Sequence, residues 1–419
     1  MIDACSQEKK PMLTVITALA QIRAAIHAVS DSETIALNSA LGRVLATDLY
    51  SPINLPTERN SAMDGYAFAS SEVENNQAFN LQLVGTSWAG KPFQGQLQQG
   101  QCVRIFTGAV LPDQADSVIM QEHIQSNGSH IQFPANTKTR QNVRAIGEDT
   151  PQGGLLCKQG KKLTAVDLAL LASAGISNIS VLRRIKIAIF STGDELVALG
   201  QPLKTGQIYD SNRYLLTGLL ADNCYQVTDL GIIADNKQTL SEAFTSSAQN
   251  HDVIISTGGA SVGDADYIKE VLTECGKINF WKIAIKPGKP LTFGSIGGCY
   301  FFGLPGNPIS AQVTFQKLVS PALQQLTGAA ITQPLQLSAT CTSSLKKSAG
   351  RQEFQRGILT QDETGKLWVA TSGQQGSNIL TAMSISNCYI VLPSDCQGVT
   401  VGDTVLVEPF SAFIGCPIN

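Results

Sequence analysis

The chain has 419 residues, of which 43% are hydrophobic and 15% charged, with 30 Lys plus Arg against 33 Asp plus Glu for a net charge of −3. That length suggests about three domains. The apolar content excludes wholesale disorder, and the charge balance excludes a generally basic nucleic-acid binder.

Ten cysteines stand at 5, 102, 157, 224, 275, 299, 341, 388, 396 and 416 without a C-x-x-C pair, and the four histidines are at 27, 123, 130 and 251. Structural zinc and thioredoxin-like redox sites are therefore not expected. The beginning MIDACSQEKKP has no apolar signal-like core. No run approaches the roughly 18 apolar residues of a membrane span. A soluble cytoplasmic protein with idle thiols and no membrane association is the expectation.

Leu13, Ile16, Leu19, Ala20, Ile22, Ile26 and Val29 recur at helical spacing and predict an amphipathic helix. Pro52, Pro56 and Thr57–Ser61 then interrupt regular structure. From Tyr66 to about Gln141, short apolar runs (Leu81–Val84, Cys102–Phe106, Ser117–Met120, His130–Phe133) alternate with turn sequences and predict a small β domain. Residues 165–174 predict a helix ended at Gly175.

Residues 183–326 change character. Predicted strands at Ile185–Phe190, Val227–Ile233, Val253–Ser256, Phe280–Ile285 and Tyr300–Gly303 alternate with helices near 212–220, 238–249, 266–275 and 308–326. That alternation predicts a mostly parallel three-layer α/β domain. The last stretch returns to short strands with a hairpin-like turn at Asp362–Gly365. The predicted fold is multidomain α/β plus β, in an elongated chain. Residues 1–55 and 142–182 form an N-terminal helical linker and dimerisation domain, with a small β domain inserted at 56–141. An α/β domain spans 183–328 and a β-barrel-like domain 329–419.

Ligands of open α/β sheets bind beyond the carboxyl ends of the strands. The predicted strand ends carry Asp194 and Glu195, Asp235, Thr257–Asp266, Lys286 to Pro290, and Gly303 to Pro308. In a chain so poor in charge, the acids and lysines gathered there are a concentrated signal. The loop from Thr257 to Gly263 suits an oxyanion on backbone N–H groups, or a plain glycine turn. Gly258 and Gly263 have P-loop spacing, but Asp264 stands where that motif needs Lys. Asp194 and Glu195 read as site acids or helix caps. Asp235 reads as a ligand or a turn residue, and Asp266 as a ligand, an N-cap or both. Lys286 and Lys289, in a loop stiffened by two prolines, suit an anion or a solvated turn. Asn307 suits an N-cap. Asp64, Arg144, Glu148, Asp149, Arg351, Arg356 and Ser377 are weaker loop candidates. No Ser–His–Asp set can be spaced, so phosphate chemistry on carboxylates, lysines and a divalent metal fits better than a hydrolase triad.

SAMDGYA (61–67), GED (147–149), STGDEL (191–196), TGGASVGDADY (257–267), KIAIKPGKP (282–290) and GLPGNPISA (303–311) occur in this order. Together they resemble the MoeA family of molybdopterin molybdenumtransferases, and also the C-terminal domain of gephyrin, over essentially the whole chain. The resemblance implies a homodimeric transferase of molybdenum cofactor biosynthesis. It would take adenylyl-molybdopterin and molybdate, with Mg2+, and release AMP. Asp64 and Asp149 would come from the partner protomer. Glu195, Asp235 and Asp266 would line the α/β site, Asp235 and Asp266 holding the metal. Lys282 and Lys286 would hold oxyanions with Thr257, Gly258, Gly259, Ser261 and Gly263. Pro305, Gly306, Asn307 and Pro308 would shape the pocket wall, and Arg356 and Ser377 would extend it.

On this resemblance Lys282 gains rank and Lys289 loses it. Asp264 in place of the family's Glu, and Ala145-Ile146 in place of often basic residues, put substrate affinity in question. An adenylyltransferase acting on molybdopterin and a non-catalytic scaffold are the alternatives. Transient contacts with the adenylyltransferase and with apo-molybdoenzymes are the implied partnerships.

Overall fold

The computed structural model of the protein describes residues 12–75, 77–258 and 267–410. These fall into two compact units, one built from the N-terminal segment to Glu33, Gly42–Val44 and everything from Val181, the other from Thr34–Leu41 and Leu45–Ser180.

The first unit holds a six-stranded sheet in the order Tyr225–Ile233, Ile185–Thr192, Val253–Thr257, Cys299–Leu304, Pro290–Ile296, Lys277–Lys282. The first four strands run parallel; Pro290–Ile296 runs antiparallel to both its neighbours, Cys299–Leu304 and Lys277–Lys282. Side chains alternate across a strand, and here both faces are apolar. Ile187, Ile189, Ile255 and Phe302 point into one core with Leu216, Ile309, Val313 and Leu323 from the helices. Ala188, Phe190, Ile254 and Phe301 point into the other with Leu240, Phe244, Ile268 and Leu272. That is the three-layer arrangement expected. The helix Val15–Ala25, started by the Thr14 side chain accepting from the Thr17 N–H, also buries Ala18 and Ile22 in the first core.

The sheet is mostly parallel as expected, completed by an unforeseen hairpin of Pro290–Ile296 with Cys299–Leu304. Two expectations need correcting. The strand foreseen at Phe280–Ile285 is two strands: Lys277–Lys282 edges the α/β sheet, whereas Ile285–Lys286 pairs in parallel with Gln352–Glu353. No helix follows Asp194 and Glu195 directly, so they cap none. A short pair, Leu196–Val197 with Ile208–Tyr209, intervenes before the helix Asn212–Leu219.

The C-terminal region closes a five-stranded barrel. Gln352–Gln361, Leu367–Thr371, Leu337–Cys341, Thr404–Pro409 and Cys388–Leu392 follow one another, and the last pairs back onto the first. Ala339, Cys341, Leu359, Val369, Cys388, Ile390 and Val407 fill it.

The second unit centres on a six-stranded sheet, Ser117–Met120, Gly65–Phe68, Gln101–Ile105, Phe79–Ser87, His130–Phe133, Gln125–Asn127. Its strand Gly65–Phe68 was missed, since Asp64 and Gly65 read as a turn. The helix Ala165–Ser173 begins with a capping box between Thr164 and Asp167 and is followed by Gly175 in a left-handed conformation.

Phe301 is fully buried, with its ring edge-on to Phe244 at 5.3 Å. Phe301→Ala is expected to cost about 3–5 kcal/mol, measured by urea unfolding.

Candidate functional site

Within the first unit, parallel strand ends meet one side of the barrel around a cavity of about 910 Å3. Thr192, Gly193, Glu195, Asp235 and Gly258 line it from the α/β strand ends, and Lys286 to Pro290 from the segment that crosses to the barrel. Pro305, Gly306, Asn307 and Ser310 line it from the start of the helix Pro308–Thr314. Arg351, Glu353, Phe354, Gln355, Gln375, Gly376 and Ser377 complete the wall.

Two glycines are required by this packing. Gly258 has φ +101°, and a Cβ there would stand 2.4 Å from the Thr192 carbonyl oxygen. Gly288 has φ +112°, and a Cβ there would stand 2.4 Å from the Thr314 hydroxyl. The first lets two strand ends approach; the second seats the lysine loop on the helix.

The charges divide between the walls. Asp235 and Glu195 stand at the strand ends, while Lys286, Lys289 and Arg351 stand on the crossing segment and the barrel. Lys286 Nζ pairs with the buried carboxylate of Glu353 at 2.8 Å. Among the described residues, Lys289 and Arg351 form no ion pair. Burial, followed by repulsion from Asp194 and Glu195, pushes the Asp235 carboxyl above its ordinary range. Its Oδ1 is buried without a hydrogen-bond partner among the described residues. A buried lone acceptor among like charges is a costly arrangement that a cation relieves.

The candidates taken from the sequence are thus only partly brought together. Glu195, Asp235, Lys286, Gly258, Pro305, Gly306, Asn307 and Ser377 line one cavity. Pro308 stands behind that wall at the start of its helix, and Asn307 occupies the N-cap position without a capping side-chain bond. Thr257 is buried behind the strand ends, its hydroxyl 2.9 Å from that of Ser191, which donates to Asp210 at 3.0 Å. Lys282 is exposed on the edge strand and does not line the cavity, whereas the demoted Lys289 does.

Arg356 is fully buried and does not line the cavity either. Its Nη2 donates to the carbonyls of Gln374 at 2.6 Å and Gly376 at 3.2 Å, holding the loop that forms the wall. Its Nε and Nη1 have no partner among the described residues. Gly259, Ser261, Gly263, Asp264 and Asp266 lie outside the described residues.

Asp64 and Asp149 belong to the second unit. The Asp64 carboxylate accepts from the N–H and the hydroxyl of Thr107, each at 2.8 Å, and these bonds hold its carboxyl below the usual range. Asp149 lines a separate depression with Arg144 and Glu148.

Sequence reading missed Glu353, Phe354, Gln355 and Gln375. Nothing in the local sequence pattern marked them. Asp235→Asn is expected to raise the melting temperature of the ligand-free protein at pH 7–8. A carboxyl whose folded-state pKa is raised loses stability as pH rises through it, so the gain should fade as pH falls into the carboxylate range.

Three family models match successive parts of the chain. They are the MoeA N-terminal region (domain I and II) over residues 13–175, a probable molybdopterin binding domain over 188–325, and the MoeA C-terminal region (domain IV) over 338–410. The molybdopterin molybdenumtransferase of Haemophilus influenzae is 44% identical over 406 residues, spanning 96% of this chain and 100% of that protein. The one from Nostoc sp. is 36% identical, spanning 90% and 88%. The crystal structure of the molybdopterin biosynthesis MoeA protein from Pyrococcus horikoshii OT3 superposes with a TM-score of 0.82 at 26% identity, covering 95% of this chain and 100% of that one. In sequence, in domain order and in fold, this chain belongs to the MoeA family of molybdopterin molybdenumtransferases.

Proposed function

We propose that this protein transfers molybdenum from molybdate to adenylylated molybdopterin with release of AMP. The observation that carries the reading is one cavity in which Lys289 and Arg351, without ion pairs among the described residues, face the Asp235 carboxylate, whose buried Oδ1 has no partner among them. Its volume, about 910 Å3, suits a large nucleotide-linked substrate. The alternation of charge suits an anion that arrives with a cation.

In this reading Lys289, Arg351 and Lys286 take the phosphates and molybdate, Lys286 sharing its charge with Glu353. Lys282, carried by the resemblance alone, serves as an outer contact. Backbone groups beside Gly258 and Gly306 approach the substrate without a side chain in the way. Glu195 and Asp235 stand opposite and fix which end of the substrate enters there.

Mg2+ is the expected divalent cation, and when bound it neutralises charge on phosphate oxygens. Asp235 fits it, because its buried Oδ1 lacks a partner among the described residues and its neighbours repel a second negative charge. No cluster of three metal-ligating side chains occurs among the described residues. That suits an ion bound by one or two carboxylates, with substrate oxygens and water completing it. Asp266 is the second proposed carboxylate.

Asp64 and Asp149 act, in this reading, from the partner protomer of a homodimer. Asp64 is preorganised for it, since the two bonds from Thr107 hold the carboxylate ionised and in one orientation. A cytoplasmic setting is part of the proposal. It is supported by the eight described cysteines, none of which is in a disulfide among the described residues. No helix among the described residues is long and apolar enough to cross a membrane.

Purified protein given adenylyl-molybdopterin, molybdate and Mg2+ is expected to release AMP, and ATP with molybdopterin is expected to yield nothing. Asp64→Asn and Asp235→Asn should each lower the rate at least about 100-fold. Mixing the two inactive variants should restore part of the activity if the site is shared between protomers. Undiminished turnover in both variants would sink these assignments.

A further inference from the structure

The helix that opens the cavity wall with Asn307 and Ser310 runs from Pro308 to Leu326 and contains a π turn at Phe315–Val319. Such turns widen a helix by one residue and redirect a side chain. Here Lys317 lies against the barrel strands that carry Phe354, Tyr389 and Glu408. Its side chain is 11% exposed and its ammonium is ion-paired with Glu408, which is 9% exposed. The same ammonium lies 4.7 Å from the centre of the Phe354 ring and 5.2 Å from that of Tyr389. Phe354 lines the cavity. Tyr389 donates its hydroxyl to Gln316, the neighbour of Lys317, at 2.6 Å. Gln336 donates to the other oxygen of Glu408 at 2.9 Å.

A buried ion pair of this kind is a poor source of stability, because desolvation offsets its attraction. Burial pushes the Lys317 ammonium down to about 8. The fold therefore carries the charge at a cost near pH 7. Glu408 and Tyr389 are the titratable groups facing it from the barrel, and the charge of Arg356 acts on Tyr389 from beyond. An apolar plug would hold helix and barrel together at least as strongly. What the charged arrangement adds is direction: one placement of the barrel satisfies the carboxylate and both ring faces together.

We propose that Lys317 is a positioning residue for the cavity, fixing where the barrel wall of Arg351 and Phe354 stands against the helix wall of Asn307 and Ser310. The geometry stands independently of the reaction; only the kinetic readout rests on the transferase reading.

The test compares the wild type with the double variant Lys317→Met, Glu408→Gln, which leaves no buried charge unpaired, and with Lys317→Arg. The double variant should match or exceed wild-type stability in urea. Its amides at 352–357 and 374–377 should exchange hydrogen about tenfold faster than in the wild type without ligand, with other core amides unchanged. KM for adenylyl-molybdopterin should rise about tenfold and kcat change little. Lys317→Arg, which keeps the charge, should restore the protection.

A double variant with wild-type exchange and KM would overturn the proposal. So would one in which every core amide exchanges faster, since that is the mark of lost stability alone. If the wild type releases no AMP, the transferase reading fails while the exchange measurement still decides the role of Lys317.

Discussion

The cavity depends on a single crossing of the chain between two sheets. After the edge strand Lys277–Lys282, the backbone leaves the α/β sheet and lays Ile285–Lys286 beside Gln352–Glu353 of the barrel. It then returns as the strand Pro290–Ile296. The excursion is closed at its base by the Ile283 N–H donating to the Lys289 carbonyl at 2.7 Å. On the barrel side, the Gln352 N–H donates to the carbonyl of Ala284 at 2.9 Å. Without this crossing, the strand ends and the barrel would not share a wall. The ion pair between Lys286 and Glu353 belongs to the same constraint. Glu353 is only 6% exposed on its side chain, so its charge needs a fixed partner there.

Because the crossing carries Lys286 and Lys289 on one short loop, it also decides the electrostatics. Parallel strands deliver acids at their ends, and the loop delivers cations opposite them. A chain with few charges thus concentrates both signs around one volume, where each is little screened by others. Apart from the pair of Lys286 with Glu353, the two signs are held apart by the fold rather than neutralised by each other. Among the described residues, Asp235 keeps an unpartnered oxygen, with a raised carboxyl pKa, and Lys289 an unpaired ammonium. This is a stability cost of the kind that ligand-binding sites retain.

Much of this was legible in the residues. Apolar strand runs marked by Ile187 to Phe190 and Val253 to Ile255 could only be a buried parallel sheet, because both faces of each strand are apolar. The glycines and prolines from Gly303 to Pro308 marked a stiff strand-to-helix passage. What was not legible is where the chain changes sheets. KIAIKPGKP reads as one strand with a basic loop, since nothing local distinguishes pairing with the α/β neighbour from pairing with a barrel strand far along the sequence. The ranking of Lys282 above Lys289 comes from the family resemblance, not from this local pattern. Lys282 ends the edge strand and faces solvent, and Lys289 returns into the cavity.

The strand Gln352–Gln361 shows why the barrel side of the site escaped sequence reading. Its first half is buried at Glu353, Phe354, Gln355, Arg356 and Gly357 in succession, whereas from Ile358 the burial follows alternation more closely. Leu359 turns into the barrel core, while Glu353, Gln355 and Arg356 are buried polar residues. They serve the cavity wall: Glu353 anchors Lys286, Gln355 lines the space, and Arg356 holds the carbonyls of Gln374 and Gly376. Polar residues buried on both faces of a strand defeat any test for hydrophobic period, and the segment reads as loop. The same defeat is informative once the fold is known. A strand that abandons its two-residue pattern while remaining buried must be satisfying its polar groups through specific partners. Here those partners are the lysine loop and the loop that carries Ser377.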